Sequence, residues 1–158
     1  MSFTDSPGPG QPADADSLLD VLRSYQQAMV RQDANQLADL YAVDAVHELP
    51  FLFPGMPPRY EGREQVRAAY SAAWDASPAR PHDVRTIAVH RCEDPRALVV
   101  EQAVAGVNSA TGEAFELPGV LVLRVEEGRI VHVRDYMDGL AVAAAMHRLP
   151  AVVEALGG

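Results

Sequence analysis

The second half of the chain constrains the fold most, because four long strand-like segments follow one another there with only short turns between them. These segments cover roughly residues 83–91, 96–107, 113–125 and 129–138. The turns that link them lie at 93–95, 109–112 and 126–128. Turns this short join antiparallel neighbours. The sequence therefore predicts a meander of long antiparallel strands.

Helical patterns precede this meander. Either Asp16 or Ser17 can cap a first helix, whose apolar residues are spaced i, i+4, i+7 and i+11 on one face: Leu18, Leu22, Tyr25 and Met29. The pattern further predicts a short second helix that includes Tyr41, a short strand at 45–49, a third helix from about 62 to 74, a last helix at 139–147 and a further turn at 150–156.

Residues 1–15 are rich in proline and glycine and have little to bury, so we predict a disordered lead-in followed by a single domain over residues 16–158. Helices followed by a run of strands indicate an α+β fold with the helices on one face of a curved sheet. Such a sheet leaves a cone that is open at one end, where a small apolar ligand can bind.

The charge balance excludes some classes of partner. The chain of 158 residues carries a formal charge of −9, and all 13 of its basic residues are arginine. This argues against binding to nucleic acid or to an anionic membrane surface. We expect a cytoplasmic protein, since no apolar run has the length of a membrane span and the N-terminus does not resemble a signal peptide.

The sequence offers no pattern typical of a cofactor or metal site. Cys92 is the only cysteine, and a small buried hydrophobe is the simpler interpretation of it. No glycine-rich phosphate loop and no dense cluster of histidines and carboxylates is evident. We therefore expect chemistry without a cofactor and without a metal.

Asp135 lies on the last strand in an unusual position. Alternation along that strand places Asp135 on the same face as Val131 and Val133, while His132 and Arg134 point outward. A carboxylate on the apolar face of a sheet is costly to desolvate. It is either a satisfied structural acid or an acid or base inside a pocket, and we favour the pocket.

Three segments carry a resemblance to the SnoaL-like branch of the nuclear transport factor 2-like superfamily. They are the junction at 40–45 (LYAVDA), the start of the third helix at 60–64 (YEGRE) and the turn at 127–130 (EGRI). The segment 134–138 (RDYMD) is similar to the last strand of limonene epoxide hydrolase. The resemblance spans about residues 16–150 and implies a cone-shaped α+β barrel whose strongly curved antiparallel sheet wraps around the N-terminal helices.

The same resemblance implies roles for individual residues. Tyr25 matches the oxyanion-binding tyrosine of ketosteroid isomerase, but Leu49 and Leu121 stand where that enzyme has acids, which argues against its mechanism. Asp135 matches the water-activating aspartate of limonene epoxide hydrolase, but four other positions of that site differ: His47, Leu49, Gln102 and Val104. Polyketide cyclases of the SnoaL type are similar to this chain in combining histidine and aspartate.

From these arguments we expect Asp135 and His47 to act as an acid–base pair and Tyr25 to donate a hydrogen bond. His47 has a second interpretation, as a surface or hydrogen-bonded strand histidine. The expected substrate-binding residues are mostly apolar: Gln102, Leu49, Trp74, Leu117, Gly119, Leu121, Val133 and Met137. Gln102 could instead be a satisfied buried amide, and Trp74 could simply pack in the core.

Two classes of function remain open. The first is a cofactor-independent enzyme that acts on a hydrophobic small molecule, polyketide- or terpenoid-like, by cyclisation, isomerisation or epoxide opening. The second is a binding or scaffold protein that keeps the cone without the chemistry. In both cases the apolar outward residues of the sheet favour a homodimer.

Overall fold

The structure of the protein is a computed structural model that describes residues 12–51 and 57–157, without the side chains of residues 12–16. Helices and strands in this part of the chain follow a mixed order. The helices are α1 (Pro12–Arg31), α2 (Ala34–Asp39), α3 (Arg63–Ala76), α4 (Gly139–Ala145) and α5 (Leu149–Leu156). The strands are β1 (Tyr41–Glu48), β2 (Arg59–Glu61), β3 (Ala79–Arg91), β4 (Ala97–Asn108), β5 (Ala114–Glu126) and β6 (Arg129–Met137).

The strands form one open sheet in the order β2-β1-β6-β5-β4-β3. The predicted meander is confirmed, since β3 to β6 pair antiparallel in sequence. The sheet as a whole is mixed and not purely antiparallel, because β1 pairs parallel with β6. Parallel pairing requires a long connection, and here the chain between β1 and β6 includes α3 and the rest of the meander. The architecture is the predicted α+β cone.

The helices pack on one face of this sheet. The predicted stripe of α1 is buried, with Leu18 and Leu22 each 3% exposed and Tyr25 1% exposed. It contacts a core that also contains strand residues: Leu98, Val100, Leu121, Leu123 and Val133. Burial of large apolar side chains contributes about 1.5–3 kcal/mol each. The packing of α1 against these strand residues therefore stabilises the fold.

The first helix begins earlier than the sequence indicated. It starts at Pro12, so residues 12–15 of the expected lead-in are helical, while residues 1–11 lie outside the described residues. It ends before Gln32, whose φ of 51° does not continue a right-handed helix. Asp33 then caps α2 by accepting a hydrogen bond from the Gln36 amide.

Tyr41 was expected in the second helix and instead opens β1. The reason is tertiary, since Tyr41 pairs with Ile130 of β6 and the Ile130 amide donates to the carbonyl of Leu40. The backbone hydrogen bonds that β6 needs therefore determine the conformation of Tyr41, and its local helical pattern does not.

The inward positions of β6 also differ from simple alternation. Ile130 and Val133 are fully buried, whereas Val131 is only partly buried. The register steps from the Arg124–His132 pair to the Val125–Ile130 pair, which places one extra residue in β6. A bulge of this kind shifts the facing of one half of a strand relative to the other. The prediction for Val131 was therefore wrong, while Val133 faces the core as expected.

In the described part of the chain, no helix is long and apolar enough to cross a membrane.

Candidate active site

A cavity of about 650 Å³ lies between the helices and the sheet. Its wall includes eight of the eleven residues expected at the site: Tyr25, Leu49, Trp74, Gln102, Leu117, Gly119, Asp135 and Met137. Most other lining residues are apolar, and they come from α1, α3, β4, β5 and the two C-terminal helices. A volume of this size suits a drug-sized organic ligand.

Three of the expected site residues do not line the cavity. Leu121 and Val133 lie in the core, at 1% and 0% exposure. Both side chains face inward as predicted, but they pack in the core together with residues of α1 and do not reach the cavity. His47 is also 0% exposed and is not among the residues of the cavity wall. Leu121 and Val133 are therefore not in contact with this cavity.

Asp135 is partly buried and lies in the cavity wall. β6 holds it there through pairing of Asp135 with Leu121 of β5. Burial raises the pKa of Asp135 to about 6, because a low-dielectric environment disfavours the charged form. No described residue forms a hydrogen bond to this carboxyl group. It can therefore exchange a proton with a ligand near neutral pH.

Tyrosine hydroxyl groups accompany this carboxyl group. Tyr25 from α1 and Tyr70 from α3 line the cavity, and Tyr41 lies buried behind them. Burial, followed by the charges of neighbouring groups that include Asp135, raises the pKa of all three well above the ordinary value. These hydroxyls stay protonated and so remain hydrogen-bond donors at neutral pH.

The Tyr25 hydroxyl has no hydrogen bond of good geometry with a described residue, although it is buried. The Tyr70 hydroxyl is nevertheless close enough to influence the pKa of Tyr25 as a hydrogen-bond partner would. Tyr25 lines the cavity, and its buried hydroxyl keeps a donor that no described residue satisfies. A buried polar group without a partner costs about 1–3 kcal/mol, so it favours a ligand that supplies an acceptor.

His47 lies between two of these tyrosines. Its Nδ1 atom is 2.9 Å from the Tyr41 hydroxyl and its Nε2 atom is 3.2 Å from the Tyr70 hydroxyl. Burial, together with the nearby His132, lowers the pKa of His47 to about 3. A neutral imidazole has one donor and one acceptor nitrogen. If Tyr41 donates to Nδ1, then Nε2–H donates to Tyr70, and the Tyr70 proton is free to point away from His47.

No hydrogen bond joins His47 to Asp135. The β1–β6 register aligns His47 with Val133, one inward position short of Asp135. His47 and Asp135 therefore do not form the expected hydrogen-bonded pair. His47 instead links the hydroxyl groups of two tyrosines, and the Asp135 carboxyl group is separate from this chain of hydrogen bonds. Of the two interpretations of His47 in the sequence, the hydrogen-bonded strand histidine describes its contacts.

Gln102 lies in the cavity wall with one side of its amide occupied. Its Oε1 atom accepts a hydrogen bond from the Gln26 amide at 3.0 Å, and the same Gln26 nitrogen lies 2.9 Å from the Thr86 hydroxyl. This fixes the orientation of Gln102. Its own NH₂ group has no recorded partner among the described residues and can donate to a ligand.

Tyr41, Tyr70 and Gln26 were missed as members of this polar cluster. Tyr70 lies on the same side of α3 as Trp74 and contacts its ring, a position where packing is the default and lining the pocket mouth the alternative. Its contact with His47 spans 23 residues in sequence and Gln26 lies 76 residues from Gln102, so no local spacing could have indicated either one. Within the described residues, no three or more histidines, cysteines or carboxylates gather to hold a metal ion.

Comparison with known proteins identifies relatives of the chain. The uncharacterized Bacillus subtilis protein YesE is 27% identical over 131 residues, which is 80% of this chain and 84% of YesE. A Bacillus subtilis protein named as a candidate isomerase has a similar structure, with a TM-score of 0.78 and 24% identity over 85% of this chain and 96% of that one. A Xanthomonas campestris protein named as a candidate polyketide cyclase gives a TM-score of 0.66 and 24% identity over 84% and 98% of the two chains.

The two structural likenesses establish the fold, since their sequence identities are low. The family assignment comes from the sequence, where a model of the SnoaL-like domain matches residues 21–133. This range exceeds half of the 158 residues. The protein therefore belongs to the SnoaL-like domain family, within the nuclear transport factor 2-like fold.

Proposed function

We propose that the protein is a cofactor-independent acid–base enzyme that acts on a hydrophobic, polyketide- or terpenoid-like small molecule by cyclisation, isomerisation or epoxide opening. The observation that carries this proposal is that one apolar cavity is lined by Asp135 and by Tyr25, whose buried hydroxyl has no hydrogen-bond partner among the described residues. Proton transfer beside a substrate oxygen requires at least a base and a hydrogen-bond donor that act on the same ligand.

In the proposed step, ionised Asp135 takes a proton from a carbon beside a substrate carbonyl, or from a water that opens an epoxide. The negative charge that develops on the substrate oxygen is stabilised by hydrogen bonds from Tyr25 and Tyr70. Donors that are already oriented in a dry site lower the barrier more than donors in water. In an isomerisation Asp135 returns the proton to another carbon of the enolate; in a ring closure the enolate carbon bonds to an internal carbonyl carbon, whose oxygen takes the proton. In epoxide opening the hydroxide bonds to one ring carbon as its C–O bond breaks, and the proton goes to the oxygen that is released.

His47 has a supporting role in this proposal. A pKa of about 3 keeps it neutral, and it does not line the cavity, so direct proton exchange with a substrate is disfavoured. Its bonds to Tyr41 and Tyr70 hold the Tyr70 hydroxyl in place. We propose that His47 is a positioning residue and that Asp135 is the general base.

The test is a turnover assay with small epoxides and with polyketide-like enols and enones on the wild type and on Asp135→Asn. A general base contributes about 10²- to 10⁴-fold in rate, so Asp135→Asn is expected to lose that much activity while it remains folded. Asp44→Asn is the matched control, because Asp44 is an exposed residue of β1 outside the cavity. Full turnover by Asp135→Asn would remove Asp135 from the reaction.

A binding protein is the second candidate, and one observation favours it. Leu49 and Val104 line the cavity at positions where limonene epoxide hydrolase carries polar groups by the resemblance above. A binder predicts that a ligand saturates the cavity and dissociates unchanged. Equal affinity of the wild type and Asp135→Asn for every ligand tested, with no turnover by either, would favour this candidate.

A further inference from the structure

Arg148 is the one cationic side chain among the described residues that line the cavity. It precedes α5 and is exposed, so it lies at the solvent side of the cavity. Its Nη2 atom donates a hydrogen bond to the carbonyl of Ala76, at the end of α3, at 3.1 Å. This contact holds the guanidinium group over the cavity.

Most of the hydrogen-bonding capacity of this guanidinium group is available. A guanidinium group has five N–H donors in a fork that matches a carboxylate. The Ala76 contact uses one of the two terminal nitrogens. The other donors have no recorded side-chain partner among the described residues, so they can bind an anionic group of a ligand.

The cavity wall also contains two carboxyl groups. Asp135 is a carboxyl group that ionises near neutral pH, and Asp138, also in the wall, accepts a hydrogen bond from the Ala141 amide. An anionic ligand group is repelled by Asp135 and attracted by Arg148. Because most other residues of the wall are apolar, an amphiphilic ligand is favoured with its anionic group at Arg148.

We propose that Arg148 forms an anion subsite at the mouth of the cavity and that the natural ligand is an apolar carboxylic acid. Its carboxylate pairs with Arg148, and its apolar body extends toward Tyr25 and Asp135. The statement that the distal end of this acid is the reacting end rests on the proposed function. The anion subsite itself does not, because it requires only binding.

A purely structural role of Arg148 has different consequences. As a link between α3 and α5, it would affect unfolding and would not distinguish a charged ligand from a neutral one of the same shape. The informative quantity is therefore the ratio of two dissociation constants, and not either affinity alone.

The experiment is isothermal titration at pH 7.5 with two matched probes, 1-naphthylacetate and 1-naphthylacetamide. We expect the wild type to bind the acid about three- to tenfold more tightly than the amide, with a preference that weakens as salt is added. Arg148→Met is expected to abolish this preference and Arg148→Lys to keep part of it. Arg23→Met is the control, because Arg23 is exposed on α1 and pairs with Asp20.

Thermal unfolding of each variant shows whether it is folded at the temperature of titration. If Arg148→Met is unfolded there, the ratio of dissociation constants measured for Arg148→Lys tests the proposal instead. The proposal would be overturned by equal binding of the two probes to the wild type, by a preference that survives in Arg148→Met, or by no binding of either probe at millimolar concentration. Asp135→Asn separates this proposal from the proposed function. Full turnover by that variant would refute the function, while its preference for the acid would still support the subsite.

Discussion

At the scale of single residues, the site depends on a carboxyl group and a histidine that burial drives in opposite directions. Burial raises the pKa of Asp135 to about 6 and lowers the pKa of His47 to about 3. Both shifts favour the neutral form. Only the Asp135 shift brings a titration close to neutral pH, and only Asp135 lines the cavity. These two properties assign the acid–base role to Asp135.

The raised pKa of Asp135 predicts that this residue lowers stability at neutral pH. The folded state resists ionisation between the ordinary carboxyl pKa of 3.8 and about 6, so it binds more protons than the unfolded state over this window and stability falls as pH rises. The shift corresponds to at most about 3 kcal/mol. Asp135→Asn is therefore expected to raise the free energy of unfolding at pH 8 by up to this amount, and to have little effect at pH 4.

Urea unfolding of the wild type and Asp135→Asn at the two pH values measures this difference. The exposed substitution Asp44→Asn is expected to leave the free energy of unfolding nearly unchanged at both. A gain from Asp135→Asn that is the same at pH 4 and pH 8 would show that ionisation of Asp135 is not its cause.

At the scale of secondary-structure elements, two glycines of the central strands have different purposes. A Cβ atom at Gly106 of β4 would lie 2.5 Å from the Arg80 carbonyl oxygen and 2.6 Å from the Phe115 ring. A Cβ atom at Gly119 of β5 would meet nothing closer than 3.5 Å. Gly106 allows close approach of neighbouring chain segments, while Gly119 leaves space in the cavity wall.

Gly106→Ala is expected to destabilise the protein by about 1–3 kcal/mol, as overpacking commonly does. Gly119→Ala should leave the free energy of unfolding within about 1 kcal/mol of the wild type, because the added Cβ atom meets only ordinary contacts. It should weaken the binding of ligands that fill the cavity. Chemical denaturation and titration with 1-naphthylacetamide check the pair. Equal destabilisation by the two substitutions would contradict the packing described here.

The sequence predicted elements well where the pattern was local. The stripe of α1, the third helix and the three hairpins of the meander follow from periodicity and turn residues. The prediction from sequence failed where pairing with a distant strand determines the structure. Tyr41 belongs to the sheet because it pairs with β6, and Val131 is displaced from the inward face by the bulge in β6. No single-sequence pattern encodes the register of β1 against β6.

The same limit applies to the site. Parity on the strands correctly placed Asp135, Gln102 and Leu117 in the cavity wall. It could not separate the part of the inward face that lines the cavity from the core, where Leu121 and Val133 lie. The partners of His47 come from β1 and α3, and their meeting is a property of the tertiary structure.

For the whole molecule, the apolar residues on the sheet face that points away from the helices indicate association between copies of the chain. Val120 and Val122 of β5 are only partly buried, whereas Ala103 of β4, which was also expected to face outward, is 2% exposed. A partly exposed apolar sheet face commonly marks an interface. We expect a two-fold homodimer through this face, and light scattering at micromolar concentration checks it. Val122→Glu is expected to shift the mass to that of a monomer, whereas a monomeric wild type would contradict the prediction.

The most direct test of the account is the pH dependence of kcat/KM for the wild type and His47→Gln, with any substrate that the turnover assay identifies. Asp135 must be ionised to act as a base, so the rate should rise with pH through an acid limb at about 6, the pKa that burial gives this residue. His47 is already neutral there, so His47→Gln should lower the rate without moving the limb. An acid limb near the exposed-carboxyl value of about 4, or one that moves when His47 is replaced, would contradict the assignment of Asp135 as the general base.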